Sequence, residues 1–187
     1  MSADAGTALA NAQAALDRAG GYTLTVEQSN FVLPQWGGAD SGTVQVADGG
    51  KTARAVLART GEVGATYTIA LTGNQTFFQR STCDTAFRIP GGGTDVLRPF
   101  LFSATKTLAN AADVKWAAGS PNAVVANVSG LGQVTIEIDA STGRPSRITG
   151  QNNGKPLVWS FGDWGKSLSV SPPADSLQDR GPGGIPC

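Results

Sequence analysis

The stretch Val134-Thr135-Ile136-Glu137-Ile138-Asp139-Ala140-Ser141-Thr142-Gly143-Arg144-Pro145-Ser146-Arg147-Ile148 decides the fold. Val134, Ile136 and Ile138 alternate with Thr135, Glu137 and Asp139, the two-residue period of a strand with one buried face. Ala140-Ser141-Thr142-Gly143 supplies turn residues, and the spacing predicts the next strand over 144–149. Strand, tight turn and strand make an antiparallel pair. The same signature repeats outward in both directions.

Toward the C-terminus, turns at 150–154 and 162–165 separate predicted strands at 155–161 and 167–171, and a strand over 123–129 precedes Gly130. Toward the N-terminus, strands are predicted over 66–72, 52–59 and 43–47, with Asp48-Gly49-Gly50 as a hairpin signal and 34–42 as a turn-rich connection. A further strand follows Gly73-Asn74 at 75–79. Tyr22, Leu24 and Val26 share one face of the first strand. Before it, Leu9, Ala12, Leu16 and Ala19 recur at three- and four-residue steps, a helix over 8–19 ended by Gly20-Gly21. In the middle, Gly91-Gly92-Gly93 is a joint, Asp95 is a helix cap, and two short helices, the second over 105–112, interrupt the strands. Strands every 8–12 residues argue an antiparallel meander or barrel. One domain over 1–175 and a Gly/Pro-rich tail over 176–187 are expected.

Composition agrees and excludes much. The chain has 187 residues, enough for its own core. Its 25 glycines and 10 prolines exceed the roughly one residue in eight of average usage, as many turns require. Lys+Arg and Asp+Glu are both 14, so there is no basic footprint for nucleic acid. Histidine is absent, which removes Ser-His-Asp and Cys-His nucleophile systems and the commonest transition-metal ligand. No cofactor or metal is expected. No signal peptide and no run of 18 apolar residues is visible, and the opening Met1-Ser2-Ala3 is read as replacing a removed leader.

Cys83 and Cys187 are the two cysteines. An even pair with one member at the last residue predicts a disulfide that pins the tail in an oxidising compartment. Two free thiols are the alternative. The loop would span about a hundred residues, for which chain entropy gives at most roughly 4–5 kcal/mol.

Candidate chemical motifs are weak. Gly165-Lys166-Ser167 imitates the end of a phosphate loop, but Ser160 stands where its first glycine belongs, and the residues after it alternate like a strand. Glu137 and Asp139 read as a solvated strand face. Asn74-Gln75-Thr76 and Asn127-Val128-Ser129 are formal glycosylation sequons without supporting context. Trp36 and Trp164 fall in predicted loops; Phe77, Phe78, Phe87 and the Phe100-Leu101-Phe102 cluster either fill a core or line an apolar cavity. Periodicity does not separate the two. The strands are rich in Ala, Val and Thr, and small inward side chains leave room.

The order of features resembles the LppX/LprG/LprA/LprF lipoproteins of bacterial cell envelopes, wider relatives of the LolA/LolB lipoprotein carriers. The resemblance runs from about Thr7 to Pro173. It rests on the helix and following meander, on Asp95-Val96-Leu97-Arg98-Pro99 through Leu108, on the Asp139-x-x-Thr142-Gly143-x-Pro145 turn, and on the closing Phe161-Gly162-Asp163-Trp164-Gly165 through Pro172-Pro173. It implies an α+β fold: a strongly curved antiparallel β-sheet, a half-barrel, with the N-terminal helix and short helices covering its open concave face. It implies no enzyme, but an extracytoplasmic lipid-binding protein that holds or carries acylated lipid or lipoglycan, with a membrane transporter or other envelope protein as partner, and a monomer. Family members are tethered by an N-terminal lipidated cysteine. No cysteine stands near Met1, so either a removed segment carried the anchor or the protein is secreted. A non-transporting, lipid-sensing module of the envelope is the alternative.

Acyl binding needs only apolar area. At about 25 cal/mol per Å², a chain hiding a few hundred Å² gains roughly 5–10 kcal/mol gross, less its ordering cost. The expected cavity wall is Val26, Val44, Val46, Tyr67, Ile69, Leu71, Leu97, Phe100, Leu101, Leu108, Val134, Ile136 and Trp159. Residues 91–104 are the expected gate, since glycines beside a bulky cluster permit movement.

Overall fold

A computed structural model describes residues 4–28, 31–33, 37–59, 64–73, 75–82, 86–89, 108, 111–129, 131–152, 154–171 and 178–179. Helix α1 spans Ala5–Ala19. It starts three residues earlier than its apolar pattern suggests. Asp4 caps it, with Oδ1 accepting from the Thr7 amide at 2.9 Å and Oδ2 from the Thr7 hydroxyl at 2.6 Å. Gly20 ends it in the left-handed region at φ 71°, where a side chain would be strained.

Thirteen strands follow: β1 (Tyr22–Gln28), β2 (Phe31–Leu33), β3 (Gly37–Ala47), β4 (Thr52–Arg59), β5 (Thr66–Thr72), β6 (Gln75–Arg80), β7 (Phe87–Ile89), β8 (Ala112–Trp116), β9 (Ala123–Val128), β10 (Gly132–Ile138), β11 (Pro145–Asn152), β12 (Lys155–Gly162) and β13 (Gln178–Asp179). They form one sheet, ordered β13-β7-β6-β5-β4-β3-β1-β12-β11-β10-β9-β8, with β2 paired to β3. Every pair is antiparallel except β13 with β7. The sheet is strongly curved and does not close, so the fold is an α+β half-barrel with an N-terminal helix.

Two meanders, β3–β7 and β8–β12, are joined by β1, which pairs with β3 on one side and β12 on the other. The expected strands at 43–79 and 123–161 therefore follow one another as neighbours within each half, and the join is a long-range pairing. The hairpin at Asp48-Gly49-Gly50 forms as expected, with the Thr52 hydroxyl donating to Asp48 Oδ2 at 2.8 Å.

Several expectations are corrected. The connection at 34–42 ends in strand, because β3 begins at Gly37 and pairs with β2 and β4. Ala112 opens β8 and Ala111 before it is not helical either; Leu108 lies in a turn, and the remainder of both expected middle helices, with the gate at 91–104, lies outside the described residues. No strand forms over 167–171: this segment has no ladder partner, which outweighs its alternating sequence. The tail is not held only by its last residue, since Gln178 and Asp179 pair with Phe87 and Arg88 at the sheet edge. No disulfide forms among the described residues, and Cys83 and Cys187 lie outside them together with the expected bond.

Candidate functional site

Register fixes what the inner face presents. One row crosses eight neighbouring strands: Val124, Ile136, Ile148, Trp159, Val26, Gly42, Leu57 and Tyr67 are successive cross-strand partners. A second row runs through Leu24, Val44, Ala55, Ile69, Phe78 and Phe87. Apart from Gly42, every one of these residues belongs to a single apolar cluster. Leu9 and Leu16 of α1 join it, so the helix packs on this face. Tyr67 and Phe78 meet with ring centroids 5.2 Å apart.

Of the expected wall residues, Val26, Val44, Val46, Tyr67, Ile69, Leu71, Leu108, Val134, Ile136 and Trp159 are all buried in that one cluster. Leu97, Phe100 and Leu101 lie outside the described residues. Phe78 and Phe87, expected to fill a core or line a cavity, share the cluster, as do Leu24, Leu57, Val124, Ile148 and Leu157, which the expected wall leaves out. The signal was available for Leu24, since it alternates in phase with Tyr22 and Val26. For Val124, the run of apolar residues at the start of β9 hides the phase.

Two glycines let the rows close. A Cβ on Gly42 would lie 2.1 Å from the Val56 carbonyl oxygen, and the residue has φ 147°. A Cβ on Gly150, between Val134 and Leu157, would lie 2.7 Å from the Gln133 carbonyl oxygen.

Charge is sparse on this face: the first row ends at Arg80 of β6, the half-buried cross-strand partner of Tyr67. Arg54, Glu137 and Arg147 are exposed, and Glu137 stands opposite Arg147 in the ladder. Asp139 does not continue the Glu137 face: it lies beyond β10 and organises the turn. Its Oδ1 accepts from the Ser141 hydroxyl at 2.6 Å, the Ser141 amide at 2.8 Å and the Thr142 amide at 2.9 Å. These bonds, the Ser141 hydroxyl first, lower its pKa to about 2. Lys166 of the phosphate-loop-like tripeptide pairs with Asp163 across a turn, and no helix follows. Among the described residues no group of three His, Cys, Asp or Glu side chains is placed to hold a metal. No described helix is long and apolar enough to cross a membrane.

Of the loop tryptophans, Trp36 lies outside the described residues. Trp164 stacks on Phe161 with centroids 5.8 Å apart and planes at 9°, and the Arg144 guanidinium carbon lies 5.2 Å from its ring centroid. It packs from the turn after β12 against the edge of the apolar cluster. Trp116, on edge strand β8, is the exposed large hydrophobic of the described residues, at 36%.

A curved, unclosed sheet with one apolar inner face and a helix laid on it defines the half-barrel class to which the solved lipoprotein folds belong. The chain superposes on LprF from Mycobacterium bovis with a TM-score of 0.58 and 11% identity, covering 91% of this chain and 97% of that one. The lipoprotein LppX of Mycobacterium tuberculosis gives a TM-score of 0.56 and 13% identity, covering 89% and 97%. The half-barrel with an N-terminal helix expected from the resemblance is the fold observed, while the expected short covering helices fall largely outside the described residues. No protein-family model matches the sequence, and no protein of curated function is similar to it in sequence.

Proposed function

We propose that this protein binds acylated lipid against the inner face of its half-barrel and holds or carries it outside the cytoplasm, in the manner of a cell-envelope lipoprotein. The observation that carries the reading is the eight-strand row from Val124 to Tyr67, in which every side chain is apolar and on one face. A hydrophobic ligand needs only such a surface, with no catalytic group. The shared fold with LprF and LppX supports it. Val26, Val44, Val46, Tyr67, Ile69, Leu71, Leu97, Phe100, Leu101, Leu108, Val134, Ile136 and Trp159 are the proposed wall. The protein acts as a monomer that receives lipid from, or gives it to, a membrane or an envelope partner.

Native mass spectrometry of purified protein, beside an organic extract, tests this. A stoichiometric mass excess that leaves with solvent and is acylated is the expected result. A clean protein mass, with no uptake of added dioleoylphosphatidylglycerol or oleic acid, would overturn it in favour of a non-transporting interaction module with a filled core.

A further inference from the structure

Gln13 and Thr76 are the buried polar residues of the described chain, and Gln13 is 3% exposed. Gln13 sits on α1 four residues after Leu9 and three before Leu16, on the face turned to the apolar cluster. Its Nε2 donates to Asp17 Oδ1 at 3.0 Å. That bond fixes the amide, because the swapped orientation would set a carbonyl oxygen against a carboxylate. The other end, Oε1, is therefore committed, and it is buried with no hydrogen-bond partner among the described residues. Leucine or methionine would pack at this helical position without leaving an acceptor unmet, so the carboxamide is unfavourable unless something donates to it.

We infer that Gln13 Oε1 is a specificity contact for a hydroxyl group on the bound lipid. The inference rests on the lipid-binding reading above. An amide oxygen only accepts, so ester carbonyls and phosphate oxygens do not satisfy it. The lipid class it selects is an acylated glycerol or sugar that keeps a free hydroxyl beside its acyl chains, over one that is fully esterified. α1 lies against β8 and β11, which places this contact over the C-terminal half of the sheet.

The test uses two probes that differ in one group, 1,2-dioleoylglycerol and 1,2-dioleoyl-3-acetylglycerol, each displacing a fluorescent fatty acid from delipidated protein. The wild-type protein is expected to prefer the free hydroxyl by roughly 5- to 30-fold, the discrimination that an unpaired buried acceptor imposes on the wrong ligand. In Gln13→Leu the ratio falls to about one. Asp17→Ala, at an exposed position, frees the amide to turn and lowers the ratio several-fold with no change in the buried face. Equal wild-type affinities would show that water satisfies Oε1, and would overturn this inference while leaving lipid binding intact. A ratio unchanged in both variants would also overturn it. Binding of neither probe, nor of the fluorescent acid, would remove both readings together.

Discussion

Trp159 of β12 lies directly across from Val26 of β1, and this pair sits on the seam where the chain's two meanders meet. Trp159 is fully buried, with Ile148 as its partner on the opposite side. The indole thus fills the inner face at the point where a strand from the N-terminal end closes against one from the C-terminal end. Trp159→Ala should cost roughly 3–5 kcal/mol, as large-to-small changes at fully buried aromatics do. Urea denaturation followed by far-UV circular dichroism reads the loss. A cost under 1 kcal/mol would mean that the seam is not under the core.

Ala55 stands between Val44 and Ile69 in the second inner row and is fully buried. If small side chains here leave room for an acyl chain, Ala55→Phe fills ligand space and not protein space. The expected outcome is at least a tenfold loss of lipid occupancy with a thermal shift below about 2 °C in the delipidated protein. A filled core would behave oppositely, losing roughly 1–3 kcal/mol to overpacking with no ligand effect. Differential scanning calorimetry beside lipid titration separates the two.

Gly42→Ala should destabilise by roughly 1–3 kcal/mol, since its φ of 147° and its approach to the Val56 carbonyl both exclude a Cβ. The change also disturbs register between β3 and β4. Hydrogen exchange should show faster opening of those two strands than of β10 and β11.

Asp139 makes the β10–β11 turn sensitive to acid. Its folded pKa, about 2, lies below the ordinary carboxylate value because the ionised form accepts bonds from Ser141 and Thr142. The unfolded chain therefore binds the proton more readily than the folded one. The stabilisation is present above the unfolded pKa, near 3.9, and is lost as pH falls toward 2. Asp139→Asn should flatten the pH dependence of the melting temperature between pH 4 and 2, in the range set by those two values. An unaltered slope would place the acid sensitivity elsewhere.

The inner face was legible because covalent geometry enforces a two-residue period. Once Tyr67, Ile69 and Leu71, or Val134 and Ile136, lie in a strand, their common side is decided. β4 and β5 accordingly have the bounds that the alternation and glycine turns predict. Phe77 shows the limit. It alternates out of phase with Phe78, pairs with Ala70 and Arg88 on the other face, and is nevertheless buried, outside the main cluster. Local period gives its direction but not what covers it.

The short strands β7, β8 and β13 were not legible either. Three residues of Phe87–Ile89, or the exposed Ala112–Trp116, have too little intrinsic preference, and they form because a neighbouring strand offers unpaired backbone groups. Gln13 carries no signal in the sequence, because a glutamine on a helix is ordinarily solvated; only packing of α1 on the sheet removes water from it.

The sequence by itself determined the longer strands of each meander, β3 to β6 and β9 to β12, most of their turns and which side of each is apolar, because these depend on dihedral preferences and on neighbours within a few residues. Tertiary structure decided that β1 leaves its own end of the chain to lie between β3 and β12, so that two apolar half-faces become one. That choice depends on burying both faces at once, a gain from the hydrophobic effect that no local stretch of residues contains.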